Sequence, residues 1–301
     1  MNSISSDNLY PVNNFDYQLL DTGKLKKLER FGPYRFIRPA PQVIWPPSLP
    51  EKDWLNINGE FHHYKGKTTG GGEWVFRKPV PKNGWPLRFR DLVFTVHTTS
   101  FGHLGLFPEQ APNWDWIAAQ VNQLNDNKPS VLNMFGYTGA STLAAISKGA
   151  QVTHVDASKT SVTWARKNLE SSGLIDYPIR WMVDDVEKFL KREHRRNKKY
   201  DALIMDPPSF GRGPKGEVWN IETQMAELLT LCKHVLSDSP KFILLTAHSP
   251  GLSALALKNM LIKFLVSSDS GAFQYGDMSI YDTGSGLYLP NGFYVRFSSY
   301  S

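Results

Sequence analysis

The chain has 301 residues with 41% hydrophobic content, enough to bury the core of one large domain or two, and a formal net charge of +6. It has no apolar run of roughly eighteen residues and a single cysteine, Cys232, which excludes a membrane-spanning helix and an internal disulfide. The N-terminus lacks a basic region followed by an apolar one, so no secretory signal is expected, and the positive charge favours a polyanionic partner weakly.

Residues 31–99 are rich in proline, glycine and tryptophan. The five prolines of RFIRPAPQVIWPPSLPEKDW exclude a long helix. The short aromatic segments GEFHHYKG, EWVFRKPV and LRFRDLVFTVHTT are typical of β-strands joined by turns. The sequence therefore predicts a small β-rich N-terminal region over residues 1–100. The alternative is an irregular extension packed on the main domain.

Beyond Pro112, helical and strand patterns alternate. This alternation predicts an α/β domain over residues 101–301, with a parallel sheet that carries helices on both faces. Pro112 and Asn113 are suitable first residues for a helix, as is Ser158, and Gly173 is a suitable end. The last segment, GLYLPNGFYVRFSS, predicts an antiparallel hairpin at one edge. The predicted elements are, in order, helix PNWDWIAAQVNQLND, strand SVLNMF, helix TGASTLAAISKG, strand QVTHVD, helix SKTSVTWARKNLESSG, strand IRWMVDD, helix VEKFLKREHRRN, strand DALIMD, helix IETQMAELLTLCKHVL and strand KFILLTAH.

Ligands of open α/β sheets bind beyond the carboxyl ends of the strands, so these ends are where a site is expected. The first gives NMFGYTGAST, in which Gly136 and Gly139 allow a tight turn and close approach of the backbone to a ligand. Neither G-x-G-x-x-G nor the phosphate loop G-x-x-x-x-G-K-[ST] is present. A plain turn between strand and helix is the alternative.

The following strands end on acids. Asp156 stands about 20 residues after the glycine loop, where an acid can accept the hydroxyls of a ribose; the alternative is a role in capping the next helix. Asp184 and Asp185 end the third strand and can accept the amine of an adenine or, equally, cap a helix. Asp206 ends the fourth strand and is followed by two prolines, whose locked φ angles stiffen the backbone.

Together, NMFGYTGAST, VDASKTSVTWARKNL, DDVEKFL and DALIMDPPSF resemble the motif series of the class I S-adenosylmethionine-dependent methyltransferases. The likeness is to the subgroup that includes bacterial large-subunit ribosomal RNA methyltransferases. Upstream, GHLGLFPEQAPNW is similar to a segment that folds over the cofactor in that subgroup. The resemblance covers residues 101–245. It implies a Rossmann-like methyltransferase sheet, S-adenosylmethionine as cofactor and RNA, most of all ribosomal RNA, as the substrate.

The resemblance also implies roles for individual residues. Asp156, with Ala157 beside it, would hold the ribose, and Asp185, with Asp184 beside it, the adenine. Asp206, Pro207 and Pro208 would line the place where the methyl group leaves. The methionine part of the cofactor would be surrounded by Phe135, Gly136, Tyr137, Thr138 and Gly139. The other side of the cofactor would lie near Phe107, Glu109 and Gln110.

The chain departs from two relatives in ways that bear on the mechanism. Enzymes that methylate amino groups place an aromatic residue directly after the prolines, whereas here Ser209 intervenes before Phe210. Enzymes that methylate cytosine C5 carry a cysteine at the end of the next strand, where this chain has LLTAHSPG. Cys232 lies in a helical pattern and is interpreted as a core thiol. The arrangement is more similar to a relative that methylates guanine N7.

Two further features have alternative interpretations. The basic run from Lys188 to Tyr200 can contact RNA phosphates or can be a solvated helix end, which is favoured because the run leads away from the strand ends. His248 can relay a proton or can make a local hydrogen bond.

Three functional hypotheses follow. The first is a cytoplasmic RNA methyltransferase without a cysteine nucleophile or a structural metal. The second is a protein that binds S-adenosylmethionine without catalysis, or that methylates a substrate other than nucleic acid. The third, a nicotinamide-dependent dehydrogenase, is disfavoured by the missing dinucleotide fingerprint.

Overall fold

The computed structural model describes residues 14–67, 70–124, 128–212 and 218–300, which form two compact units. The β-rich unit comprises residues 14–111 and Ser279–Pro290, and the α/β unit comprises residues 112–278 and 291–300. Three sequence predictions touch residues outside the described ranges: the absence of a signal in the first 13 residues, the helix end at residues 125–126 and the glycine-rich residues 213–217. The domain boundary near residue 100 stays a prediction.

The β-rich unit holds a five-stranded sheet and a two-stranded hairpin, which confirms that the N-terminal region is rich in strands. Its elements are β1 (Tyr17–Gly23), β2 (Lys26–Phe31), β3 (Tyr34–Pro39), the short helix α1 (Glu51–Leu55), β4 (Gly59–His63), β5 (Gly72–Phe76), β6 (Trp85–Phe89) and β7 (Leu92–Val96). The sheet runs in the order β1-β2-β3-β4-β5, with β3 and β4 parallel and the other neighbours antiparallel. Strands β6 and β7 form the separate hairpin.

A buried ion-pair cluster lies inside the β-rich unit. Arg38 Nε and Nη2 donate to the Glu29 carboxylate at 2.6 and 2.8 Å, Tyr17 Oη donates to it at 2.9 Å, and Lys27 Nζ lies 3.4 Å from it. Burial alone would raise the pKa of Glu29, but Arg38 and Lys27 outweigh it and lower this pKa to about 2. Glu29 therefore stays charged inside the unit.

The α/β unit is built on a seven-stranded sheet. Its elements are α2 (Ala111–Gln123), β8 (Ser130–Met134), α3 (Ala140–Ile146), β9 (Gln151–Asp156), α4 (Lys159–Ser171), β10 (Ile179–Val183), α5 (Val186–Arg195), β11 (Ala202–Met205), β12 (Phe210–Arg212), β13 (Val218–Asn220), α6 (Ile221–Val235), β14 (Phe242–Ala247), α7 (Ala254–Phe264), β15 (Ala272–Tyr281) and β16 (Tyr288–Ser298). The sheet order is β10-β9-β8-β11-β14-β16-β15, in which the first five strands are parallel and β16 is antiparallel to β14.

Helices cover both faces of this sheet, as predicted. Leu132 and Met134 of β8 point into an apolar cluster that contains residues of α5, α6 and α7. Asn133, which alternates with them, points to the opposite face, where its Nδ2 donates to Thr142 Oγ1 of α3 at 2.8 Å. The predicted α/β class is confirmed, and the carboxyl ends of the parallel strands all lie at one edge of the sheet.

Local signals set the ends of α4. Ser158 caps its N-terminus, where the hydroxyl accepts from the backbone N–H of Ser161 at 3.1 Å. Gly173 follows its last turn with φ +68°, a left-handed conformation that suits glycine. Both positions confirm the sequence prediction.

Two sequence predictions were wrong in detail. The segment GLYLPNGFYVRFSS is not a hairpin by itself but contributes the single strand β16, whose neighbour β15 was not predicted. The misleading signal was Pro290 with Asn291 and Gly292, which resembles a turn. Strand β14 pairs with residues 293–298 of β16, so Pro290 lies beyond that pairing and its missing N–H leaves the β14–β16 ladder intact.

The second error concerns the start of α2, which begins at Ala111 instead of Pro112. Asn113 is consequently inside the helix. Its side chain is fully buried, and Asn113 Oδ1 accepts a hydrogen bond from Arg296 Nε at 2.9 Å.

Candidate functional site

The strand ends that carry glycine and acids meet at one edge of the sheet. Register places Met134 of β8 beside Val155 of β9 and beside Met205 of β11. The residues that follow these strands are therefore neighbours. Two backbone hydrogen bonds tie them together, from Gly136 N to Val155 O and from Asp184 N to Asp156 O, each at 3.0 Å.

The loop after β8 has an unusual backbone. Phe135 and Tyr137 have φ values of +57° and +49°, in the left-handed region that residues with a Cβ rarely adopt, and Gly139 has φ +90°. Gly139 N donates to Gly136 O at 2.9 Å and closes a tight turn. Backbone conformations of this kind cost of order 1–3 kcal/mol each and cluster at ligand sites.

The loop rests on a buried polar group. A Cβ added to Gly136 would stand 2.4 Å from Cε1 of His154, so only glycine fits there. His154 is fully buried, and its Nδ1 lies 2.9 Å from Thr142 Oγ1. Burial lowers the pKa of His154 to about 3, so the ring is neutral at pH 7. The linked side chains of Asn133, Thr142 and His154 support the loop from inside the unit.

Asp156 links this loop to the next strand. Its Oδ2 accepts from Tyr137 N at 2.9 Å, and its Oδ1 accepts from Ser158 N at 2.8 Å. Burial raises the pKa of Asp156, and these two backbone hydrogen bonds oppose the rise. Each carboxylate oxygen has two lone pairs, so the group can also accept donors from a ligand. The cap of α4 itself is Ser158, not Asp156.

The acids after β10 are occupied by contacts of their own. Asp185 caps α5, accepting from Lys188 N at 2.9 Å. Asp184 accepts from Asp185 N at 2.9 Å and forms an ion pair with Arg192. The capping alternative is thus realised for Asp185, and a contact of either acid with an adenine stays a prediction.

Asp206 follows β11 and is held by a side chain. Thr246 Oγ1 of β14 donates to Asp206 Oδ1 at 2.6 Å, and His248 Nε2 lies 3.7 Å from the same oxygen. The side chains of Asp206 and His248 are 31% and 30% exposed, so both reach solvent at the strand edge. The arrangement can orient an acceptor and accept a proton.

The antiparallel strands β12 and β13 adjoin the two prolines, and two hydrogen bonds hold the chain at Pro208 and Ser209. Trp219 Nε1 donates to the carbonyl oxygen of Pro208 at 2.6 Å, and Ile221 N donates to Ser209 O at 3.1 Å. The Trp219 ring also lies 5.4 Å from that of Phe135 in the glycine loop. Phe210, on β12, is 56% exposed, which leaves its ring available for stacking. Trp219 therefore connects the two segments that the sequence predicted as site walls.

Sequence reasoning missed Trp219 and Thr246. Trp219 stands one residue before Asn220, the N-cap of α6, which gives it no motif of its own. Thr246 occurs within an apolar strand, where a threonine is ordinary. The only signal was position, since both adjoin segments already singled out.

Cys232 lies in the core, as interpreted from the sequence. It is fully buried on α6, with its Sγ 3.9 Å from the sulfur atoms of Met134 and Met205. Burial raises the pKa of the thiol well above its usual range, so it is not a thiolate at neutral pH.

Phe107, Glu109 and Gln110 belong to the β-rich unit. Glu109 and Gln110 are buried in a short 3₁₀ turn, Pro108–Gln110. Within that unit, Glu109 interacts electrostatically with Lys27 and Arg38. A contact of these residues with a cofactor stays a prediction.

The described residues contain neither a metal-binding group nor a membrane-spanning helix. Among residues 14–67, 70–124, 128–212 and 218–300, no group of three or more His, Cys, Asp or Glu side chains is placed to hold a metal ion. In the same described ranges, no helix has the length and apolarity needed to cross a membrane.

Comparison with known proteins places this geometry among relatives. A solved S-adenosylmethionine-dependent methyltransferase from Agrobacterium tumefaciens superposes with a TM-score of 0.88 at 36% identity, over 94% of this chain and 90% of that one. The family model described as "Conserved hypothetical protein 95" matches residues 112–228.

Curated relatives match a shorter part. Ribosomal RNA large subunit methyltransferase K/L of Hahella chejuensis is 34% identical over 146 residues, which are 48% of this chain and 19% of that protein. Ribosomal RNA large subunit methyltransferase I of Klebsiella pneumoniae is 41% identical over 81 residues, 27% of this chain and 20% of that protein. The chain thus spans about a fifth of the length of these curated relatives.

Proposed function

The chain belongs to the S-adenosylmethionine-dependent methyltransferases, and from this premise we propose that it methylates a base of RNA without a cysteine nucleophile. Large-subunit ribosomal RNA is the first candidate, since the curated relatives bear that substrate in their names. The observation that carries the proposal is the sheet edge itself, where the strained glycine loop, Asp156 and Asp206 stand at successive strand ends.

The residues present fit the cofactor of this family. S-adenosylmethionine supplies a methyl group already activated on a sulfonium. Its ribose offers hydroxyl donors, and Asp156 is a partly buried acceptor with unused lone pairs. Gly139 has no Cβ, and one added there would stand 2.9 Å from Ala165 Cβ, so the loop follows a path that only glycine allows. We assign the ribose to Asp156 and the methionine part to the loop from Phe135 to Gly139.

The two acids after β10 already make contacts within the protein. One carboxylate oxygen of Asp185 caps α5, and Asp184 forms an ion pair with Arg192. We assign the adenine to Asp185, because a capping carboxylate keeps a second oxygen for an exocyclic amine. Ala157 stands next to Asp156 at the same strand end and completes the ribose side of the proposed site.

On the acceptor side, alignment is the main task of the protein. A methyl group passes to an acceptor in line with the bond that breaks, so a rigid wall contributes by orienting the acceptor. Asp206, Pro207 and Pro208 form this wall in the proposal. Thr246 fixes the carboxylate and Trp219 fixes the Pro208 carbonyl. The buried thiol of Cys232 argues against a covalent step through cysteine.

The experiment is a transfer assay with S-adenosylmethionine labelled on its methyl group. The full chain is incubated separately with total RNA, total protein and a small-molecule extract from cells that lack the gene. We expect label in RNA, and in large-subunit ribosomal RNA after fractionation. Label confined to protein or to small molecules would contradict the RNA assignment and favour the other methyltransferase hypothesis. A cytoplasmic location, where an enzyme can reach ribosomal RNA, is part of this proposal.

A further inference from the structure

Strand β5 ends the five-stranded sheet of the β-rich unit and exposes large apolar side chains. Tyr64 just before the β4–β5 turn is 52% exposed, and Val75 and Phe76 on β5 are 50% and 46% exposed. Because side chains alternate along a strand, Phe76 shares its face of the sheet with Trp74, whereas Val75 lies on the other face. Exposed side chains of this size at a sheet edge are typical of interaction surfaces. The β5 edge is defined here as residues 64–67 and 72–78.

The ring of Phe76 is held in place although nearly half of the residue is exposed. It lies over Gly59 of β4, where an added Cβ would stand 3.0 Å from Phe76 Cδ1. Its ring stacks on that of Trp74, with centroids 6.1 Å apart and planes inclined by 18°. Trp74 Nε1 in turn donates to Thr99 O at 2.8 Å. The β5 edge thus offers a flat aromatic surface whose orientation is already fixed.

Cations flank this surface at both ends. Lys65 and Lys67 stand before β5, and Arg77 and Lys78 stand directly after it, all four with exposed side chains. Five strand residues separate the two groups by roughly 17 Å. Among the described residues, none of the four lies within 4.0 Å of a carboxylate. Residues 61–90 contain seven Lys and Arg against a single acid, Glu73. The positive charge of the β5 edge is therefore largely uncompensated.

The other basic segment of the chain differs in this respect. On α5, Lys191 lies 3.8 Å from Glu187 and 3.1 Å from Glu227, and Arg192 pairs with Asp184. Just beyond the helix, Arg196 lies 3.2 Å from Glu193. Carboxylates of the same unit thus lie beside three of the seven Lys and Arg residues between Lys188 and Tyr200.

We propose that the β5 edge binds single-stranded RNA, an inference that rests on the proposed function and assigns substrate recognition to the β-rich unit. Proteins that bind single strands combine cations along the phosphate backbone with aromatic rings on which unpaired bases stack. The β5 edge presents both, with Phe76 between two pairs of cations. The basic run at α5 has no exposed Phe, Tyr or Trp ring. Its exposed ring, His194, already stacks on His234 with centroids 4.4 Å apart, and three of its cations have carboxylate partners.

The test compares two variants of equal net charge. One replaces Lys65, Lys67, Arg77 and Lys78 by glutamine, and the other replaces Arg195, Arg196, Lys198 and Lys199. Both lower the formal charge from +6 to +2, so a difference between them does not arise from net charge. Binding of a fluorescein-labelled single-stranded RNA of mixed sequence is measured by anisotropy at several salt concentrations. Retained affinity for S-adenosylhomocysteine shows that each variant is folded.

For a single strand, each cation that contacts a phosphate contributes about 0.7 to the slope of log affinity against log salt. We expect the β5-edge variant to lower the magnitude of this slope by roughly 1.4 or more, the value for two lost contacts. The α5 variant should keep the slope of the wild type. An unchanged slope in the β5-edge variant, or equal losses in both variants, overturns the inference.

A second pair of variants tests the aromatic ring. Phe76→Leu keeps an apolar side chain over Gly59 but removes the stacking surface, and we expect RNA affinity to fall about fivefold or more. Phe76→Tyr keeps the ring and should bind as the wild type does. Equal affinity of Phe76→Leu and the wild type overturns the stacking role. If the wild-type protein binds and methylates the RNA but neither pair of variants behaves as expected, only the β5-edge inference is refuted. If the wild-type protein binds no RNA, the proposed function is refuted as well.

Discussion

Asp156 and Asp206 stand at the same edge of one sheet, two strands apart, and are held in different ways. Asp156 is held by backbone N–H groups of Tyr137 and Ser158, whereas Asp206 is held by the hydroxyl of Thr246. The first arrangement persists when neighbouring side chains change, because the backbone supplies the donors. The second arrangement changes with a single substitution at position 246, because one side chain supplies the donor. The difference indicates that the proposed cofactor end of the site is less sensitive to side-chain substitution than the proposed acceptor end.

The strongest test of this contrast is Asp206→Ala. We expect methyl transfer to fall about 100-fold or more, because the acceptor loses its orienting carboxylate and a proton acceptor. The affinity for S-adenosylhomocysteine, measured by calorimetry, should stay within about twofold of the wild type, well below the tenfold change that 1.4 kcal/mol produces. Thr246→Val is the matched control, since it keeps the carboxylate and removes only its fixing hydrogen bond. Full activity of Asp206→Ala would show that Asp206 has no role in methyl transfer.

The opposite end is tested by Asp156→Ala. Loss of charge-assisted contacts to the ribose should weaken binding of S-adenosylhomocysteine about tenfold or more, equivalent to ~1.4 kcal/mol. Ser158→Ala provides the control, because it removes the cap of α4, costs about 1 kcal/mol of stability and leaves the carboxylate in place. Calorimetry that finds the same affinity in Asp156→Ala and the wild type would contradict the ribose assignment.

A smaller effect is expected at Trp219, which contacts both Pro208 and Phe135 of the glycine loop. Trp219→Phe keeps a ring beside Phe135 but removes the hydrogen bond to Pro208 O, which is worth about 1 kcal/mol. Transfer should slow about fivefold, the equivalent of that energy, while cofactor affinity stays unchanged. Single-turnover rates separate the two readouts. A loss of cofactor affinity as large as the loss of rate would show that Trp219 serves the glycine loop instead of the prolines.

The smallest effect on catalysis is expected from Cys232→Ala, which touches neither end of the site. Transfer should equal that of the wild type, and the small cavity should cost about 1 kcal/mol of unfolding free energy, measured by denaturant titration. A loss of activity in a variant whose fold and cofactor affinity are intact would restore a covalent route through the thiol.

The same contrast explains what the sequence could and could not predict. The cap at Ser158, the helix end at Gly173 and the acids at the strand ends are local features, and each has a signature within a few residues. The order of alternating strands and helices then predicts which ends meet, since parallel strands share an edge. For these reasons the sequence predicts the α/β class, which the structure confirms, and the sheet edge at which the site is proposed.

Contacts between distant segments have no such signature. Trp219 reaches Pro208 across eleven positions, and Thr246 reaches Asp206 across forty, through pairing that only the folded chain shows. The misread hairpin at Pro290 has the same origin, because the turn signal was local and the pairing partner that overrides it lies on β14. The proposed acceptor end of the site depends on such contacts, which is why its prediction from sequence was less complete.

The packing of Gly136 on His154 couples two positions that are eighteen residues apart. Any side chain at position 136 collides with the imidazole, so a change there is tolerated only together with a smaller residue at position 154. Such a smaller residue in turn leaves Thr142 Oγ1 without its imidazole contact. In a library of random variants, residues 136, 142 and 154 should therefore change together. A folded variant with a new residue at position 136 should carry further substitutions at the other two positions.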